Sequence, residues 1–197
     1  EIMPSLVGSE MCIRDRIEVD GHPAQVADEA QTVERILREG GARGIFVARD
    51  DAEKNKIWEA RRKALPALAR RRPTIVLEDA TVPRSQIPAM MKAVNDIAAK
   101  YKVEVGTFGH AGDGNLHIYA CKDELTDEAW NSVVEKVMDE LYEAAKEMGG
   151  EVSGEHGIGH AKKGFLAESM GETQMQLMRG IKAAFDPKGI LNPGKVV

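Results

Sequence analysis

Two short stretches concentrate the side chains that could do chemistry. The first is Gly109-His110-Ala111-Gly112-Asp113-Gly114-Asn115-Leu116-His117, two histidines flanking a glycine-rich turn. Asp-Gly between two strand-like runs favours a two-residue hairpin loop, whose central residues both take positive φ. With Asp113 and Gly114 as that loop, residue 112 faces 115, 111 faces 116, and His110 faces His117. Directly opposed cross-strand residues have Cβ atoms about 4.5–5.5 Å apart, close enough for two imidazoles to share a metal ion. The same pattern also fits a plain hairpin with two polar histidines on a wet face.

The second stretch is Glu151-Val152-Ser153-Gly154-Glu155-His156-Gly157-Ile158-Gly159-His160. Glycines beside ionisable residues let backbone approach a substrate or cofactor closely. Two histidines and one carboxylate form a ligand set that leaves positions open on Zn²⁺, Mn²⁺ or Fe²⁺. By itself, Glu155 reads first as a solvated loop carboxylate, since lone Glu-His pairs are common.

The elements that must carry these residues follow from periodicity. Apolar positions at Val26, Ala30, Val33, Ile36 and Leu37 predict a helix over 24–39 that ends at Gly40-Gly41. A longer helical pattern covers 51–70, with Pro66 expected to break or kink it. Further helices are expected at 85–100, 126–148 and 172–185. Strands are expected at 17–20, 44–48, 74–77, 103–109 and 116–121. The hairpin requires an antiparallel pair, so the expected class is α+β: helices packed on a mainly antiparallel sheet. Residues 1–16 show no sustained period and no secretory h-region, so they are read as an extension outside the domain at 17–197.

Composition narrows the function classes. The chain has 197 residues, enough for a real core, and 30% charged residues with a net charge of −5. The acidic balance argues against a nucleic-acid face, which needs a basic excess. No apolar run reaches the roughly 20 residues that span a bilayer. Two cysteines, Cys12 and Cys121, are too few for a disulfide framework, which favours a reducing, cytoplasmic location. Cys121 reads as a small buried apolar residue rather than a nucleophile. The methionines at 90, 91, 138, 148, 175 and 178 read as core filler.

Four stretches taken together resemble the C-terminal, ferredoxin-like cap domain of FAD-linked oxidases of the vanillyl-alcohol oxidase superfamily. They are TVPRS at 81–85, GHAGDGNLH at 109–117, GGEVSGEHGIG at 149–159 and KAAFDPKGILNPGK at 182–195. The resemblance is nearest to the glycolate oxidase flavoprotein subunit and the D-lactate dehydrogenases. It implies an FAD-dependent oxidation of a small 2-hydroxy acid to a 2-oxo acid. It implies that His110, His117 and Glu155 bind a divalent metal, zinc, manganese or iron. It makes His156 the general base and Arg61, three residues after Trp58, the clamp for the substrate carboxylate. It sets Asn192, with Glu155 and Gly157, near the flavin. Hydroxyglutarate-specific members place a lysine two residues before the aspartate that aligns with Asp79, and an asparagine two residues after the second histidine. This chain has Leu77 and Tyr119 there, which favours a monocarboxylate such as lactate or glycolate. Family members also carry an N-terminal FAD domain. Nothing before residue 17 resembles it, so that half is expected from a missing domain or a partner subunit, with any membrane association peripheral and through an electron acceptor. Two other classes share the motifs: a metal-dependent hydrolase using the same His-His-Glu set, and a non-catalytic interaction module of this fold.

Overall fold

The computed structural model describes residues 2–4 and 13–197. In chain order the elements are β1 (Ile2–Pro4), β2 (Ile13–Asp15), α1 (Pro23–Glu39), α2 (Asp51–Arg71), β3 (Ile75–Thr81), a 3-10 turn at Arg84–Gln86, α3 (Ile87–Tyr101), β4 (Glu104–His110), β5 (Asn115–Cys121), α4 (Asp127–Glu147) and α5 (Lys163–Phe185). β3, β5 and β4 form an antiparallel sheet with β5 in the middle. Every residue of β5 is buried, because both faces of this strand are covered.

The two faces have different chemistry, set by the period of two along a strand. Val76, Ala80, Leu116, Ile118 and Ala120 share one face and join the core. They pack against Met90, Met91, Val94 and Ile97 of α3 and Trp130, Val137, Met138, Leu141 and Ala145 of α4. The i, i+3, i+4, i+7 spacing on α3 is the stripe a helix needs to cover a sheet. Thr126 caps α4 by accepting the Ala129 N–H at 3.2 Å. The opposite face carries Leu77, Asp79, Thr81, Asn115, His117, Tyr119, Phe108 and His110. Gly106 lies on that face too, and its missing side chain lets Leu68 of α2 approach to 3.0 Å from where a Cβ would stand. The architecture is thus α+β, as the hairpin and helical periods require.

Several local expectations are corrected. Residues 17–20 and 44–48 form no strand, although both are strand-like in composition. A strand needs an edge to pair with, and neither run finds one among the described residues; Phe46 is 66% exposed and Val47 57%. Pro66 does not end α2, which continues to Arg71. The helix expected at 172–185 forms, but a further helical segment from Lys163, not expected, precedes it across a break at Gly171, where φ is 74°. The stretch 1–16 is not featureless: β1 pairs antiparallel with β2, in strands too short for alternation to reveal. Residues 1 and 5–12, Cys12 among them, lie outside the described residues. Among the described residues, no helix is long and apolar enough to cross a membrane.

Candidate active site

The hairpin forms with a register different from the one Asp-Gly predicts. His110 faces Asn115, and His117 faces Phe108. Asp113 does not take a positive φ; only Gly114 does, at 72°. Two successive turns result, with the Asp113 N–H on His110 O at 3.0 Å and the Gly114 N–H on Ala111 O at 3.3 Å. The loop therefore has four residues, not two. The tip is held from outside by the Val82 N–H, which donates to Gly114 O at 2.9 Å. A Cβ on Gly114 would sit 1.9 Å from Val82 O, so this position requires glycine twice over. The register differs by two residues, so both histidines keep their face and become diagonal neighbours. Their ring centroids are 5.4 Å apart.

The glycine-rich segment is brought to the histidines by β3. Thr81 and Glu151 exchange backbone hydrogen bonds of 3.0 and 2.8 Å, extending the edge of the sheet. A Cβ on Gly150 would meet Thr81 O at 2.1 Å, so the close approach depends on glycine. The next residues fold around Asp79, which stands opposite His117 in the β3–β5 ladder. One oxygen, Oδ2, accepts the Ser153 hydroxyl at 2.9 Å and the N–H groups of Gly154, Glu155 and His156 at 3.0, 3.0 and 2.8 Å. Burial disfavours the Asp79 charge, but these donors outweigh it and hold its pKa below the ordinary carboxylate value.

His110, His117 and Glu155 converge, with one ligand atom from each within 4.8 Å of the others. Glu155 Oε1 is 3.0 Å from His117 Nε2 and 3.7 Å from His110 Nε2. His156 joins them: its Nε2 is 3.7 Å from Glu155 Oε1, and its ring centroid is 4.6 Å from that of His117. Burial, followed by the neighbouring His156, pushes the His117 pKa down against the pull of Asp79 and Glu155. The shift favours the neutral imidazole, the form that ligates metals.

The remaining predicted residues are dispersed around this cluster. Arg61 on α2 is close enough to Tyr119 for its charge to act on the phenol, whose pKa is nonetheless raised by burial. Leu77 faces Tyr119 directly across β3–β5, one step along the same face from the Asp79–His117 pair. Gly157 has φ 80° and donates its N–H to Ser153 Oγ at 2.9 Å. Asn192 is exposed in the C-terminal tail, outside the cluster. That tail is tied to the end of the glycine-rich segment by the Val196 N–H on Gly159 O at 2.8 Å. Sequence reasoning gave no role to Ser153 or Lys162 and used Asp79 only as an alignment marker. The available signal was the pair Glu78-Asp79 inside an otherwise apolar strand, since buried acids require partners.

The family model described as FAD linked oxidases, C-terminal domain, matches residues 16–196. The chain is 46% identical over 180 residues to the glycolate oxidase subunit GlcD of Bacillus subtilis, covering 91% of this chain and 38% of that protein. It is 40% identical over 174 residues to a D-lactate dehydrogenase of Anaerostipes hadrus, covering 87% and 36%. It is 38% identical over 170 residues to a D-lactate dehydrogenase of Archaeoglobus fulgidus, covering 86% and 37%. The chain thus spans little more than a third of the length of these relatives.

Proposed function

The chain belongs to the family of FAD-linked oxidase C-terminal domains, and from that premise we propose that it is the substrate- and metal-binding part of a flavin-dependent D-2-hydroxyacid dehydrogenase of D-lactate or glycolate type. The observation that carries this reading is the convergence of His110, His117 and Glu155 beside His156. The donor set fits a divalent ion of the zinc, manganese or iron kind. Glu155 Oε1 lies 3.0 Å from the buried His117 Nε2 and 3.7 Å from His110 Nε2, so three donor atoms face one space that a cation would fill. When bound, such an ion supplies Lewis acidity toward a coordinated hydroxyl, and FAD supplies the hydride acceptor.

The chain's own residues do the rest. His110, His117 and Glu155 hold the ion and fix it relative to the sheet. His156, whose side chain is 38% exposed, takes the substrate hydroxyl proton on a ring nitrogen. Arg61 binds the substrate carboxylate through two parallel N–H contacts, which fixes the orientation of C2. Leu77 and Tyr119 line the face beyond His117, where the cation within reach, Arg61, is taken up by the first carboxylate. A second carboxylate there would lose its water without gaining a charged partner. Glu155 and the exposed Gly157 and Asn192 face the flavin. A flavin-binding body of the length by which the relatives exceed this chain would seat on the exposed apolar side chains Leu177, Ile181 and Phe185 of α5 and Ile190 and Leu191 beyond it.

The test is a graft. Residues 16–196 replace the matching segment of the Anaerostipes hadrus D-lactate dehydrogenase, and dye reduction by D-lactate is followed. The expected result is turnover that His117→Ala and Glu155→Gln each abolish. A folded, flavin-loaded graft that does not turn over D-lactate or glycolate would refute the assignment.

A further inference from the structure

We infer that Asp79 is the positioning residue of this site, an internal anion around which the segment carrying Glu155 and His156 is wound. The inference rests on the metal reading above only for what that segment presents. Three successive backbone N–H groups, from Gly154, Glu155 and His156, point at Asp79 Oδ2, with the Ser153 hydroxyl as a fourth donor. Such a run of N–H groups is an anion-binding nest, and here the anion is a side chain of the neighbouring strand. Ser153 Oγ also accepts the Gly157 N–H at 2.9 Å, which closes the turn around the carboxylate. A second tie lies behind it. The buried Lys162 Nζ donates to Asp79 O at 3.2 Å and Val152 O at 2.9 Å, beside Glu78 Oε2 at 3.5 Å.

The geometry gives this tie a purpose beyond stability. The Glu155 side chain is half exposed, so its own packing does not fix it. Its backbone is fixed, and by the residue directly opposite His117 in the ladder. The separation between the loop carboxylate and the strand histidine is thereby set by the β3–β5 register. Asp79 is 1% exposed, and its Oδ2, besides the backbone donors, lies 3.8 Å from His156 Nδ1, so it acts through Glu155 and His156.

The test uses this chain, Co²⁺ as the probe and Asp79→Asn, which keeps the shape and removes the charge. Two readouts are followed at matched Tm: Co²⁺ affinity with its visible absorption band, and amide exchange of Gly154, Glu155 and His156 without metal. The expected result is about a 10–100-fold loss of affinity, the usual effect of removing a residue that orients a ligand, with a changed band and faster exchange at all three amides. Unchanged affinity and unchanged exchange in a folded variant would overturn the inference. If the wild-type chain binds no Co²⁺, the metal reading fails and amide exchange alone decides the role of Asp79. If Asp79→Asn does not fold, Ser153→Ala decides: a smaller loss in affinity with faster exchange supports the inference, and wild-type values overturn it.

Discussion

Gly154→Ala is the sharpest probe of how closely the site loop must approach the sheet. Gly154 has an ordinary φ, so the substitution brings no backbone penalty and acts by volume alone. A Cβ there would lie 2.5 Å from Asn115 Cγ and Nδ2 and 2.5 Å from Thr81 Oγ1. Ordinary contact begins near 3.5 Å, so something must move by about 1 Å. Asn115 is 4% exposed in the central strand and cannot yield easily. The loop is therefore the part that shifts, and a 1 Å shift stretches the 3.0 Å bonds from Gly154 and Glu155 to Asp79 beyond hydrogen-bond range. Overpacking of this kind costs about 1–3 kcal/mol, and each kcal/mol lowers Tm by about 2–4 °C in a chain of this size. Ligands at about 2.1 Å in tetrahedral geometry stand roughly 3.4 Å apart. Displacing Glu155 by about 1 Å from His117 should then weaken Zn²⁺ or Co²⁺ binding about 10–100-fold. Calorimetric metal titration and thermal melts on the variant check both numbers. Gly44→Ala is the control, because nothing lies within 4 Å of its Cβ. Metal binding within twofold of wild type in Gly154→Ala would refute the claim that this contact positions the site.

Three further outcomes are expected. Burial pushes the Cys121 thiol up to about 11, so in a Cys12→Ser background it should resist a disulfide reagent at pH 8 until urea is added; rapid native labelling would contradict its burial. The metal-free chain should lose stability in acid, because the folded pKa of His117 lies below its unfolded value near 6.5 and that of Asp79 below 3.8. The unfolded chain then binds protons first, His117's share fading as pH drops below 6.5 and Asp79's as pH falls through its folded value. Glu78, raised chiefly by burial, works in the opposite direction, so the measure is the wild-type urea midpoint against that of His117→Asn from pH 7.5 to 5.5; a gap that does not shrink removes the argument. In the grafted enzyme, Leu77→Lys with Tyr119→Asn should raise kcat/KM for D-2-hydroxyglutarate relative to D-lactate, and an unchanged ratio would show that this ladder pair does not read the second carboxylate.

Helical periods and the two glycine-rich stretches were readable in the sequence because each depends on local spacing. The stripe on α3 and the break after α1 needed no tertiary information. The strands expected at 17–20 and 44–48 failed for the opposite reason. Apolar alternation reports that a segment wants cover, and only tertiary structure decides whether a sheet edge is there to provide it. Asp79 escaped notice because three of its four donors are backbone N–H groups some 75 positions away, and backbone groups leave no mark in a residue pattern. Lys162 escaped for the same reason, since its nearest acceptors are main-chain carbonyls.

The hairpin shows why a site can be read correctly from a turn read wrongly. Asp113-Gly114 suggested a two-residue loop, and the structure has a four-residue one. Both loops are even in length. In any even loop centred between 110 and 117 the two histidines stay on one face, because side chains alternate with period two. A three-residue loop would pair His110 with Leu116 and turn His117 toward α3 and α4, leaving a single imidazole on the site face. What brings the two rings together is therefore the parity of the spacing between 110 and 117, with the turn type deciding only whether they meet squarely or on the diagonal. The diagonal arrangement leaves room between the rings for the carboxylate that β3 delivers, and it is there that Glu155 Oε1 lies, 3.0 and 3.7 Å from the two Nε2 atoms.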